Sequence, residues 1–172
     1  MKKTLLLFLV CFSFLIKAQD NFEITTLRIG PINLKMKVEE AEKIAGKKLK
    51  VDNDNYENTN QVNYKGETIS IYMYESSEAG KTHRNIGNIS TKSPKFKTKR
   101  GMGVGSTKKQ LIEAYKDYPD FSLSKSWDDD GKVSKTDSFF SLTDNDASTI
   151  LSFEMKNDVV IQVAVYYNDG GC

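Results

Sequence analysis

Between Thr68 and Tyr74 the chain alternates, with Ile69, Ile71 and Met73 on one side and Tyr72 and Tyr74 on the other. A period of two predicts a half-buried strand. Near the C-terminus, two such runs at 150–155 and 159–167 flank Asn157-Asp158. They predict a β-hairpin that turns Leu151, Phe153, Val159, Ile161, Val163 and Val165 toward the core. Further strands are expected at 61–64, 85–91, 121–127 and 137–143, separated by polar loops at 52–60, 75–84, 128–136 and 144–148.

In two places the period lengthens. Over 36–45, Val38, Ala41 and Ala45 recur at helical spacing one turn after Leu34, with Glu39 and Glu40 early and Gly46, Lys47 and Lys48 past the end. That charge order suits a helix dipole, and Gly46 suits a C-terminal cap. Over 106–116 a Thr107-x-x-Gln110 capping box precedes Leu111, Ala114, Tyr115 and Tyr118, and Pro119 ends the helix. Both helices are short, so packing has to hold them.

The helices share an approach. Gly30-Pro31-Ile32-Asn33-Leu34 leads into the first and Gly101-Met102-Gly103-Val104-Gly105 into the second, about seventy residues later. Sliding one on the other places Ala41 on Leu111 and Ala45 on Tyr115, a match of pattern and not of identity. The expected architecture is α+β: two tandem repeats, 19–98 and 99–172, each one short helix plus antiparallel strands, forming a continuous antiparallel sheet with the helices on one face.

The segment Gly101 to Thr107, followed by Leu111, Ile112 and Tyr115, resembles the helix-then-strands unit of the β-lactamase-inhibitor-protein-like superfamily. That superfamily also holds the small outer-membrane assembly lipoproteins. The run Ile86-Gly87-Asn88-Ile89-Ser90-Thr91 through Lys99-Arg100 is similar to segments that precede the motif in exported bacterial proteins. The resemblance implies a repeat over roughly residues 23–167, helices on one sheet face, and an open face for protein partners. The first copy departs from it, with Lys37 where a Ser or Thr cap is expected and Met36 for the tight Gly.

Composition changes the picture at the N-terminus. Lys2 and Lys3, an apolar run of twelve over 5–16, and Ala18 before Gln19 read as a secretory signal peptide over 1–18. The run is too short to span a bilayer, which takes about twenty residues. A lipoprotein signal with Cys11 as acceptor, or an uncleaved anchor, are the other readings. Removing 1–18 takes three lysines and no acid, so 25 bases against 23 acids become 22 against 23. This balance gives no argument for nucleic acid. The expected location is periplasmic or extracellular, with no membrane span once the signal is gone. Cys172 then stands alone at the end of the chain, which precludes an intramolecular disulfide.

Candidate chemistry is sparse. The glycine-rich approach to the second helix lacks P-loop order, because Ser106 and Thr107 precede Lys108 and Lys109. Lys108 and Lys109 oppose the helix dipole and, near Lys99 and Arg100, form a basic spot able to receive a partner's carboxylate. The lysine run from Lys92 to Arg100 reads as an exposed strand edge. Ser126, Asp128, Asp130, Gly131 and Asp137 follow calcium-loop spacing, but Ser126 replaces the first Asp and Asp137 the closing Glu, so a hairpin turn is the better account. The single histidine, His83, has no metal-binding or nucleophilic companion by spacing. No catalytic set and no cofactor are expected. Tyr72, Tyr74 and Trp127 are the aromatic candidates for contact with a protein partner, joined by Lys108 and Lys109. The functional expectation is an exported, non-catalytic protein-binding module, an inhibitor or an envelope assembly factor. The alternatives are a calcium- or small-ligand-binding protein and a hydrolase using carboxylates.

Overall fold

The computed structural model describes residues 21–127 and 130–168. The signal-like segment, Asp128 and Cys172 lie outside them. In chain order the elements are β1 (Glu23–Ile24), β2 (Arg28–Ile29), β3 (Ile32–Asn33), α1 (Val38–Ala45), β4 (Asn60–Tyr64), β5 (Glu67–Glu78), β6 (Lys81–Thr91), β7 (Lys97–Thr98), α2 (Lys108–Tyr115), β8 (Phe121–Trp127), β9 (Val133–Asp144), β10 (Thr149–Lys156) and β11 (Val159–Tyr167).

Seven strands make one antiparallel sheet in the order β4-β5-β6-β11-β10-β9-β8. Its register lines up apolar residues across strands: Ile71, Ile89, Val165, Leu151 and Leu142 sit side by side, and so do Val163, Phe153 and Phe140. All eight are buried. Each side chain of this size contributes roughly 1.5–3 kcal/mol by leaving water, so these rows are the main reason the strands hold this order.

Both helices cover the same face. Val38 and Ala41 of α1 and Leu111 and Tyr115 of α2 join the strand residues in one core. The Tyr115 ring lies 6.0 Å from Phe140 and 6.2 Å from Phe153. Gly46 ends α1 in the left-handed conformation at φ 65°, and the Thr107–Gln110 capping box opens α2, both as the sequence predicts. Lys37 occupies the N-cap of α1 without a side-chain bond.

Four features correct the sequence reading. First, the strands do not form a single sheet: β3-β2-β1-β7 is a separate four-stranded sheet, in which β1 and β7 run parallel. Its strands are two residues long, too short for a period to register. It packs on the helix-bearing face, where Gly30 approaches Ile69 and Phe96. Second, the polar stretch 75–84 is no loop. β5 and β6 continue as a two-stranded arm to an Ala79-Gly80 turn, both residues at positive φ. With both faces of the arm in water no alternation is required, and opposite charges pair across it, Glu75 facing Arg84 and Glu78 facing Lys81.

Third, the predicted hairpin turns at Asn157-Asp158 with φ 51° and 62°, the left-handed pair of a type I′ turn. Its parity differs from the expectation because the register shifts between Glu154 and Met155, leaving Ile161 as an extra residue. Val160 is therefore buried, and Val159 and Ile161 are exposed. Fourth, the lysine run is a strand edge only at β7, the outer strand of the small sheet, and several of its charges are engaged within the fold. Lys95 pairs with Glu67 at 2.7 Å, and Lys97 donates to the Val104 carbonyl at 2.8 Å, with burial lowering its pKa. Arg100 donates to the Ala114 carbonyl near the end of α2 and lies 5.3 Å from the Tyr115 ring centre.

Candidate functional site

The sheet face turned away from the helices is half-exposed and lined by small polar residues. One row crosses all seven strands in register: Gln61, Ser70, Ser90, Ala164, Ser152, Ser141 and Ser122. Ser90 and Ser152, at its centre, are only 9% and 6% exposed, sunk between taller neighbours. Parity alone sends these residues here, since each alternates with a core residue on its own strand. A parallel row holds Gln162, Glu154, Phe139 and Ser124. Depressions of about 370 Å³ and 360 Å³ open over these rows.

At one corner the row Tyr72, Asn88, Tyr166 crosses β5, β6 and β11. Tyr72 and Tyr74 hold their rings 18° from parallel with centres 6.3 Å apart. Gly87 explains that arrangement. A Cβ on Gly87 would stand 2.8 Å from Tyr72 Cδ1 and 3.0 Å from Tyr74 Cδ1, so only glycine lets both rings close over the backbone there. The register shifts at the same point, as Tyr72 faces Asn88 while Met73 faces Ile86. A third depression, about 580 Å³, is bounded by these tyrosines and by Tyr56.

The loop carrying Tyr56 is fixed by side-chain bonds. Asp52 accepts from Asn58 Nδ2 at 2.7 Å and from the amides of Asp54 and Asn55, which hold its carboxyl below the usual range. Asn53 Oδ1 accepts the Glu75 amide at 2.8 Å, and the Asp52 amide donates to the Met73 carbonyl, docking the loop on the edge of β5.

The other candidates lie elsewhere. Trp127 ends β8, an edge strand, 68% exposed. The register shifts between Lys125 and Trp127, so parity from Phe121 and Leu123 does not carry to it; β8 is the far edge of the sheet from β5, so Trp127 shares no patch with Tyr72 and Tyr74. Lys108 forms an ion pair with Asp158 at 3.1 Å, and its amide donates to the Asp158 carbonyl, so the β10–β11 turn clamps the start of α2. That pairing offsets the dipole penalty expected for Lys108; Lys109 is exposed beside it. Asp130 pairs with Lys132, and Asp137 accepts from the Ser134 and Thr136 hydroxyls. Among the described residues no group of three His, Cys, Asp or Glu is placed to hold a metal ion. His83 lies on the exposed β5–β6 arm opposite Ser76.

The serine row and the role of Gly87 escape the sequence reading, which places a loop at 52–60 but does not bring its Tyr56 to the other tyrosines. Serines on a strand carry no periodic signal beyond "polar", and only register shows that five of them fall in line with Gln61 and Ala164. Among the described residues no helix is long and apolar enough to cross a membrane. No protein-family model, no curated protein and no solved structure matches this chain.

Proposed function

We propose that the protein is an exported, non-catalytic recognition module that binds a protein partner through the sheet face away from its helices. The observation that carries this reading is the seven-strand row of serine, alanine and glutamine, bordered by tyrosines. A floor of short side chains lets a partner's backbone come close, and serine and tyrosine together supply adaptable hydrogen bonds and rigid contact area at low entropy cost. The charged residues mostly sit at the rim or on the other face, which suits the core of a contact patch.

The architecture also supports the proposal that one module was doubled. α1 precedes the meander β4-β5-β6, and α2 precedes the meander β8-β9-β10-β11. Their last strands, β6 and β11, pair antiparallel at the seam, the arrangement that a two-fold axis through the seam generates. On this reading the two halves are 19–98 and 99–172, behind a signal at 1–18.

Affinity capture from envelope and secreted fractions tests the reading, with wild type compared with Ser70→Arg and Ser141→Arg, which raise bulky charges from the floor. A protein retained by wild type and lost by both folded variants is the expected result. Equal retention by all three chains contradicts it.

A further inference from the structure

The tyrosine corner differs chemically from the serine row, and its unused hydrogen-bonding groups say what it takes. Among the described residues, no hydrogen bond within the protein engages the hydroxyls of Tyr56, Tyr72, Tyr74 and Tyr166 or the side-chain amide of Asn88. Asn53 spends its Oδ1 on the Glu75 amide and keeps its Nδ2 unpartnered. All six line the same depression of about 580 Å³. That volume falls in the range of small-ligand clefts, about 300–1,000 Å³.

We propose that this cleft binds a neutral saccharide of one or two rings. Hydroxyls and primary amides both donate and accept, so together they match a ligand carrying hydroxyls all around it. The tyrosine rings meanwhile offer apolar surface for the C–H faces of a sugar ring. Among the described residues no cation lines the depression, so an anionic ligand finds no counter-charge from them. Glu75 is the single acid there among the described residues, exposed and placed across the strands from Arg84, whose charge it faces. A quaternary ammonium would use the rings and Glu75 but leave the amides and hydroxyls idle. Gly87 is the enabling residue, because any side chain there displaces the two rings that form the wall. The inference shares the tyrosines that border the serine row with the protein-recognition reading but does not need that row, and the Ser70→Arg and Ser141→Arg capture tests the latter separately.

The test is amide and aromatic NMR of the full chain titrated with maltose, cellobiose and diacetylchitobiose, with tetramethylammonium as the charged comparison. The expected result is saturable, millimolar-range shifts at Gly87, Asn88 and Tyr166 with at least one saccharide. Tyr72→Ala/Tyr74→Ala weakens that binding by about tenfold or more, while Trp127→Ala leaves it unchanged. Preserved amide dispersion outside the cleft shows that the double variant folds; if it does not, Asn88→Ala takes its place with the same expectation. Absence of saturable shifts with every saccharide overturns the proposal. So do shifts that survive the cleft substitutions, or saturation by tetramethylammonium alone.

Discussion

Glu42 of α1 and Arg84 of β6, forty-two positions apart, meet at 2.8 Å through Oε1 and Nη1. Glu42 is 7% exposed, yet its carboxylate is fully used: Lys48 reaches Oε2 at 2.7 Å and the Leu49 amide donates to Oε1. One acid thus fixes the end of α1, the segment after its Gly46 cap, and the root of the β5–β6 arm.

Arg84 first and then Lys48 hold the Glu42 carboxyl at about 2, down from 4.5. A carboxyl depressed in the folded state binds its proton more readily when unfolded, so stability rises with pH between those values. Glu42's contribution is complete above about pH 4.5 and is lost as pH falls toward 2. Glu42→Gln should be less stable than wild type at neutral pH, with the gap closing as pH falls through that window. Urea unfolding at a series of pH values checks this, and a gap that stays constant refutes it. Arg84→Ala should destabilise more than Lys48→Ala, because Lys48 is 83% exposed.

Core and edge should respond differently. Phe153 is fully buried between Phe140 and Tyr115, and Phe153→Ala is expected to cost about 3–5 kcal/mol. Trp127→Ala, at an exposed strand end, should change stability by less than about 0.5 kcal/mol. Chemical denaturation of both variants reads the difference.

The bulge at Ile161 makes a sharper test of register. Val160→Ala should cost about 2 kcal/mol, whereas Val159→Ala and Ile161→Ala should each cost well under half as much. The reverse order would mean that the strand follows simple alternation.

Gly87→Ala drives a methyl into the Tyr72 and Tyr74 rings and should cost on the order of 1 kcal/mol. It should also shift the aromatic resonances of both tyrosines. Gly46→Ala meets open space but forces alanine to a φ of 65°, so it should cost a similar amount, about 1 kcal/mol, and leave those resonances in place.

Much of the fold was legible because local and tertiary preferences agree. The Thr107–Gln110 box, the Gly46 cap and the Asn157-Asp158 turn are chemical necessities at their positions, and Ile69, Ile71 and Met73 alternate because one face is dry. What escaped depends on pairing. The shifts at Gly87 and Ile161 arise from how strands meet, the two-residue strands of the small sheet are shorter than any period, and the arm over 75–84 is wet on both faces. The candidate site was legible only in part: Tyr72 and Tyr74 could be placed opposite Ile71. Which face the helices covered, and that serines from five strands shared one row, came from tertiary packing and register. Trp127 is separated from the tyrosines because strand order puts β8 at the far edge of the sheet from β5.

Site-specific photo-crosslinking tests the central claim most directly. A photoreactive side chain is placed at Ser70 or Ser141 on the serine row, and at Ile112 on α2 as the comparison, and each chain is irradiated in the envelope and secreted fractions where the proposed export would place it. The account predicts a discrete protein adduct from Ser70 and Ser141 and none from Ile112. Adducts from Ile112 with none from the serine row would contradict it.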